Sequence, residues 1–212
     1  PPGCGGLRSA GDRHPSDMIR WESLWPFRPP TDPDPQAGTA PAPADDASAH
    51  DRPYAVLFVC TGNICRSPTA EAVLRHKLEQ AGLADRVRVG SAGTHGTWHA
   101  AQPPDPRAVA HALRRGYDLS ALRARALVPA DFERHDLILA MDEDNFAILA
   151  RRCDPSLQAR LGRLAAHGRR FAESEIADPY YGPPEGFDRV LDLIEDSCDG
   201  VLEYLRSRLP QA

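Results

Sequence analysis

Tyr54-Ala-Val-Leu-Phe-Val-Cys-Thr-Gly-Asn-Ile-Cys-Arg-Ser-Pro-Thr-Ala-Glu-Ala72 is the stretch whose reading decides the fold. An apolar run, Ala55–Val59, ends at Cys60; a loop closes with Arg66 and Ser67; Pro68 opens an amphipathic segment. The pattern predicts strand, loop and helix, with a thiol at the strand exit and a guanidinium at the helix entrance. A loop that runs into a helix N-terminus turns backbone N–H groups and the positive dipole end toward one point, which suits a dianion and favours a thiolate. Such surroundings lower a thiol from about 8.5 by about one to several units. Gly62 and Asn63 tolerate the positive φ that a curled loop needs. Arg66 presents a planar fork to two phosphate oxygens, and the Ser67 hydroxyl is placed to donate to the sulfur. A nucleotide-binding G-x-x-x-x-G-K-[ST] loop is not present, and Lys77, the one lysine, lies in the middle of the expected helix.

Outward from this stretch, strand and helix patterns alternate. A helix is expected over Ser67–Ala81, with Ser67 as N-cap, Pro68 at the first position and Gly82 past the end. Strands follow at Val87–Ala92 and Asp136–Met141, and a shorter one near Arg160–Leu164. Further helices are expected from Asp105-Pro106 to Gly116, over Asp142–Arg152, and over Phe187–Leu209. Alternation of this kind implies a parallel sheet covered by helices on both faces. Ligands bind such sheets at the carboxyl ends of the strands, where Cys60 is placed.

The net charge of −5 excludes a nucleic-acid stripe or a basic membrane-seeking face, and no apolar run approaches the length of a membrane span. Five scattered cysteines resemble neither a disulfide framework nor a zinc site, so a reducing, cytoplasmic setting is expected. Residues 1–52 hold 10 of the 21 prolines and no regular period, which predicts a disordered or extended tail ahead of a single domain over 53–212. Trp21, Trp25 and Phe27 are its one apolar cluster. A chain that opens on Pro1 is read as lacking its initiator, with Met18 a candidate start and no secretory signal expected.

A second chemical element is Asp178-Pro179-Tyr180-Tyr181-Gly182. Thiolate attack on a phosphate ester expels an alkoxide or phenoxide, and a carboxylic acid must protonate it. Asp178 is the candidate, although an Asp-Pro pair on its own reads better as a turn.

Together, the Cys60 loop, Ser91-Ala92-Gly93-Thr94, Met141-Asp142-Glu143 and the Asp178 loop resemble the low-molecular-weight protein tyrosine phosphatase family over about residues 54 to 209. The resemblance implies a four-stranded parallel sheet and hydrolysis of protein phosphotyrosine and small aryl phosphates without metal or other cofactor. It implies Cys60 as phosphocysteine nucleophile, Arg66 as phosphate clamp and Asp178 as general acid, then base. Thr61, Gly62, Asn63, Ile64, Cys65 and Ser67 would form the phosphate-binding loop, with Ser91 supporting it. Trp98, Tyr180 and Tyr181 would wall the slot for a phenyl ring. Cys65 would form a reversible disulfide with Cys60 on oxidation, or serve as a buried small apolar residue. Phosphotyrosine proteins, and a cognate tyrosine kinase, are the implied partners of a monomer or weak dimer.

Two departures from the family pattern stand out. A histidine that supports the loop serines is replaced by Leu122, and Trp98 lies one residue later than usual. His95 and His99 beside it read as surface residues rather than metal ligands. Two alternatives share the fold: an arsenate reductase, which needs a relay that Cys153 and Cys198 would have to supply, and a protein-arginine phosphatase, which carries threonine where this chain has Ile64. A phosphoprotein-binding module without activity is the alternative from another class.

Overall fold

The structure is a computed structural model, and it describes residues 52–209. The proline-rich segment, its aromatic cluster and Cys4 lie outside the described residues.

Strand β1 (Tyr54–Cys60) runs through the interior of the sheet, and from Ala55 onward it is buried throughout. It pairs in parallel with β2 (Val87–Gly93) on one side and β3 (Leu137–Ala140) on the other; β4 (Leu161–Arg163) completes the order β2-β1-β3-β4. Phe58 stands opposite both Ser91 and Leu139, and Cys60 stands opposite Gly93. The pleat sends alternate side chains to opposite faces. Val56, Phe58 and Cys60 therefore join one apolar cluster, and Leu57 and Val59 join another.

Helices cover both faces, as expected. On one side, α1 (Arg66–Gln80) contributes Ala70, Val73, Leu74 and Leu78. The closing helix α5 (Glu185–Arg208) adds Val190, Leu191, Ile194, Cys198, Val201 and Leu205 on the same side. Between them, α2 (Pro106–Arg114) contributes Ala112. On the other side, Phe132 of α3 (Ala130–Arg134) and Leu149 of α4 (Glu143–Arg152) pack on Leu57, Ile138 and Ala140. Truncating a side chain such as Phe58, which has no exposed surface, costs about 3–5 kcal/mol.

The helix ends follow local chemistry. Gly82 (φ +67°) takes the left-handed conformation just past α1. Asp105 caps α2 by accepting from the Arg107 N–H at 2.8 Å, and Asp142 caps α4 by accepting from the Asn145 N–H at 2.7 Å. The start of α1 differs from the expectation. Its N-cap is Cys65, with no side-chain cap, and Ser67 and Pro68 are its second and third residues. The Ser67 hydroxyl is unavailable as a cap because it faces the Cys60 sulfur. Proline is tolerated there because first-turn N–H groups have no intrahelical acceptor to lose.

Candidate active site

The loop Cys60–Arg66 closes at the carboxyl end of β1 and is organised around its sulfur. Cys60 Sγ accepts the Asn63 N–H at 3.2 Å and lies 3.0 Å from Ser67 Oγ. Asn63 supplies the bend, with φ at +58°, in the left-handed region that Asn tolerates better than most residues. Its amide then ties the loop down. Nδ2 donates to Ser67 Oγ and to Ser91 Oγ, both at 2.9 Å, and Oδ1 accepts the Arg125 N–H at 2.9 Å. Ser91 is thus brought to the loop from the adjacent strand. Leu122 packs against the apolar core, and the Arg125 backbone provides a bond to the loop.

Arg66 is 1% exposed. Its Nη1 donates to Asp142 Oδ2 at 2.5 Å and to the Ile176 carbonyl at 3.0 Å; Nη2 donates to Asp178 Oδ2 at 2.5 Å and more weakly to Thr61 Oγ1 at 3.5 Å. Burial pulls the guanidinium down, but the surrounding Cys60, Asp178 and Asp142 hold it above its ordinary value. One donor is left over: Arg66 Nε is buried and has no partner. A buried N–H without an acceptor is costly, and an anion in the cleft is the kind of group that would satisfy it.

Asp178 meets Arg66 across 112 residues of sequence. Its other oxygen, Oδ1, accepts the Tyr180 N–H at 3.1 Å, which orients the carboxylate within the Pro-Tyr-Tyr turn. Cys60, Thr61, Gly62, Ile64, Cys65, Arg66, Trp98, His99, Asp178, Tyr180 and Tyr181 line a cleft of about 170 Å³. Tyr180 is partly buried against Ile64, Cys65, Ala108 and Phe187, and the Arg107 guanidinium lies 5.3 Å from its ring centre. Tyr181 is almost wholly exposed, and its ring stands edge-on to Tyr180.

Trp98 sits in a short 3₁₀ turn, Gly96–His99, and is largely exposed. It stacks on His95, whose Nδ1 lies 3.0 Å from Thr94 Oγ1, while His99 Nδ1 lies 3.1 Å from Gln102 Oε1. Both histidines are partly buried loop-forming residues rather than bare surface ones. The turn is anchored to the cysteine loop by backbone bonds from Thr94 N–H to Cys60 O and from His95 N–H to Thr61 O, each 2.9 Å. Behind it, Gly93 N–H reaches Arg125 O and Ala101 N–H reaches Ala124 O. A Cβ on Gly96 would lie 2.2 Å from Arg125 O, so the two backbones touch where only glycine fits.

Cys65 is buried among Ile64, Ala108 and Phe187, and burial, with the nearby Asp105, pushes its thiol up. Cys153 and Cys198 pack in clusters on opposite faces of the sheet, and burial pushes both thiols up. Several contributors escaped the sequence reading. Asp142 and the Ile176 carbonyl hold Arg66. Asn145, nearly fully buried, donates to Thr61 Oγ1 at 3.2 Å. Arg125 holds Asn63. Asp142 stood in Met141-Asp142-Glu143 and at the start of an expected helix, with nothing to mark it as a partner of Arg66; backbone donors and acceptors carry no residue signature at all. Among the described residues no group of three His, Cys, Asp or Glu side chains is arranged to hold a metal, and no helix is long and apolar enough to cross a membrane.

Comparison with known proteins places the chain in a family. The family model described as low molecular weight phosphotyrosine protein phosphatase matches residues 55–211. A low molecular weight protein-tyrosine-phosphatase of Streptomyces coelicolor is 40% identical over 160 residues, covering 74% of this chain and 96% of the relative. The Schizosaccharomyces pombe low molecular weight phosphotyrosine protein phosphatase is 40% identical over 144 residues, 67% and 91% of the two chains. Among solved structures, a protein tyrosine phosphatase from Entamoeba histolytica with Hepes in the active site superposes with a TM-score of 0.70 at 36% identity, covering 73% of this chain and 97% of its own. The chain belongs to the low molecular weight phosphotyrosine protein phosphatase family, and it is accordingly an enzyme of the protein-tyrosine-phosphatase class.

Proposed function

We propose that the protein hydrolyses phosphotyrosine in protein substrates, and small aryl phosphates, through a phosphocysteine on Cys60. One observation carries the reading: Cys60, Arg66 and Asp178 meet in one cleft, with Arg66 Nε buried and unpartnered. In the first step the Cys60 thiolate attacks phosphorus. The P–O bond to the tyrosyl oxygen breaks, and Asp178, protonated, gives its proton to the departing phenoxide. In the second step water attacks phosphorus, Asp178 takes its proton, the P–S bond breaks, and phosphate leaves a restored thiolate. Arg66 and the loop N–H groups stabilise the charge on the equatorial oxygens. Ser67, 3.0 Å from the sulfur, supports the thiolate as nucleophile and as leaving group. Trp98, Tyr180 and Tyr181 flank the ring of the substrate. No step calls for a metal or other cofactor.

The two alternatives on the same fold are less well supported. A thiol relay would have to cross the sheet, since Cys153 and Cys198 are buried on opposite faces of it. Ile64 packs in an apolar cluster and offers no hydroxyl to a guanidino phosphate. Matched peptides bearing phosphotyrosine, phosphoserine and phosphoarginine, assayed with wild type and Cys60→Ser, test the proposal. Phosphotyrosine is preferred and Cys60→Ser is inactive if it holds. Preference for phosphoarginine, thiol-dependent arsenate reduction, or turnover by Cys60→Ser would each refute it.

A further inference from the structure

The loop that carries Asp178 has little backbone to hold it. On entry, Ile176 N–H donates to Met141 O at 2.8 Å. Between Ala177 and Pro184, among the described residues, the backbone groups bond only within the loop or to the first turn of α5: Gly182 N–H to Pro179 O, Gly186 N–H to Pro183 O, and Phe187 N–H to Pro184 O. Side chains do the rest. Asp178 reaches Arg66 Nη2, but an incoming dianion competes for that same donor. Pro179, which is buried, and Tyr180, which is half-buried, are left to seat the loop when substrate is bound.

Arg107 forms one wall of the Tyr180 seat. Its Nε donates to Asp105 Oδ1 at 3.0 Å and its Nη2 to Asp105 Oδ2 at 2.8 Å. Two parallel bonds to one carboxylate fix the plane of the guanidinium. The centre of that plane lies 4.8 Å from the middle of the Phe187 ring and 5.3 Å from that of Tyr180, both within the range where a cation is attracted to a ring face. Phe187, 3% exposed, belongs to the first turn of α5, where the acid loop ends. The other end of the arrangement is tied to the phosphate loop: Asp105 N–H donates to Ile64 O at 2.8 Å, and Ile64 and Cys65 pack beneath Tyr180. One guanidinium therefore connects the strand-to-helix loop of the nucleophile with the distant loop of the acid.

We propose that Arg107 is a positioning residue for the phosphatase reaction: its guanidinium, forked on Asp105 and laid against Tyr180 and Phe187, fixes the Asp178 loop relative to the cysteine loop so that the acid meets the departing oxygen. Arg107 touches no reacting atom. The inference rests on Asp178 being the general acid. Asp105 also caps α2, so a loss of stability alone does not separate this role from a structural one; dependence on the leaving group does.

The experiment compares kcat/KM on phenyl phosphate, whose leaving oxygen needs a proton, with kcat/KM on 4-nitrophenyl phosphate, whose leaving oxygen needs it less. Four enzymes are assayed: wild type, Arg107→Ala, Asp178→Asn and the double variant. The phenyl-to-nitrophenyl ratio should fall about 3–30-fold in Arg107→Ala, the range that losing the ring contacts of one cation allows. In the Asp178→Asn background, where there is no proton to deliver, adding Arg107→Ala should leave the ratio within about twofold. Equal losses on the two esters in Arg107→Ala would show a structural role and overturn the proposal, as would a further fall in the ratio without the acid. Should Arg107→Ala not fold, Arg107→Lys keeps the charge and the stem but not the planar fork; the ratio should fall there too, and an unchanged ratio overturns the proposal. A wild-type ratio in Asp178→Asn alone would overturn the acid assignment and this proposal with it, a failure told apart because it needs no change at Arg107.

Discussion

Replacing Asp178 with Asn separates two effects of its carboxylate. Asp178 Oδ2 sits 2.5 Å from Arg66 Nη2, so an incoming dianion and this carboxylate are like charges drawn to one guanidinium. Two unit charges about 4 Å apart interact by about 4 kcal/mol at an effective dielectric of about 20. The Asp178 side chain is 42% exposed, and solvent screening brings the repulsion down to about 1–2 kcal/mol. That corresponds to a factor of about 5–30 in affinity. Asp178→Asn should therefore bind tungstate or inorganic phosphate about 5–30-fold more tightly, measured as competitive inhibition of residual turnover or by calorimetry. The same variant should lose about 10²–10⁴ in turnover of an unactivated phenyl ester, the value of a positioned acid, and far less on an ester with a good leaving group. Anion affinity that is unchanged or weaker, or equal losses on the two esters, would refute the reasoning.

Arg66→Lys replaces a fork by a single point of charge and leaves Asp142, Asp178 and the Ile176 carbonyl to share three donors. We expect kcat/KM on an aryl phosphate to fall at least about a hundredfold, as the loss of one or two charge-assisted hydrogen bonds requires; a loss under about tenfold would contradict the fork. Gly96→Ala drives a Cβ to 2.2 Å from Arg125 O. Urea denaturation should show a loss of about 1–3 kcal/mol, and kcat should fall as the Arg125 N–H moves away from Asn63; wild-type values for both would be contrary evidence. Asp131 provides the pH dependence. Burial pushes its carboxyl up, yet the Arg125 guanidinium, the Val128 N–H and His135 prevail and hold it below the usual range. A depressed carboxylate stabilises the fold above its unfolded-state pKa and loses that contribution as pH falls through the folded-state value. Tm should accordingly drop more steeply below about pH 4 in wild type than in Asp131→Asn; parallel acid limbs would count against it.

The alternating pattern was legible in the sequence because both of its periods survive burial. Ala55–Val59 and, after Asp136, Leu137–Met141 are apolar throughout, as central parallel strands must be, and the structure has β1 and β3 there. The start of α1 was misplaced because Ser67 has the composition of a cap but a hydroxyl committed to sulfur. The short α3 was not anticipated: one turn and a half around Phe132 carries too few residues for a period to show. In the site, Cys60, Arg66 and Ser67 were readable because they lie within seven residues and a local turn brings them together. Asp178 needed its Pro-Tyr-Tyr neighbours to be noticed. Asn145 and Arg125 have no such mark. An asparagine in a helix and an arginine used through its backbone look ordinary until folding shows what they face.

The turn that bears Trp98 is fastened at its base by Thr94 and His95 to the cysteine loop, and at its far end by Ala101 to Ala124. Between these fixtures Thr97, Trp98 and Ala100 are exposed, so replacing their side chains leaves the backbone ties in place. Because Trp98 lines the cleft above Cys60, a changed side chain here reshapes the rim while the floor keeps its geometry.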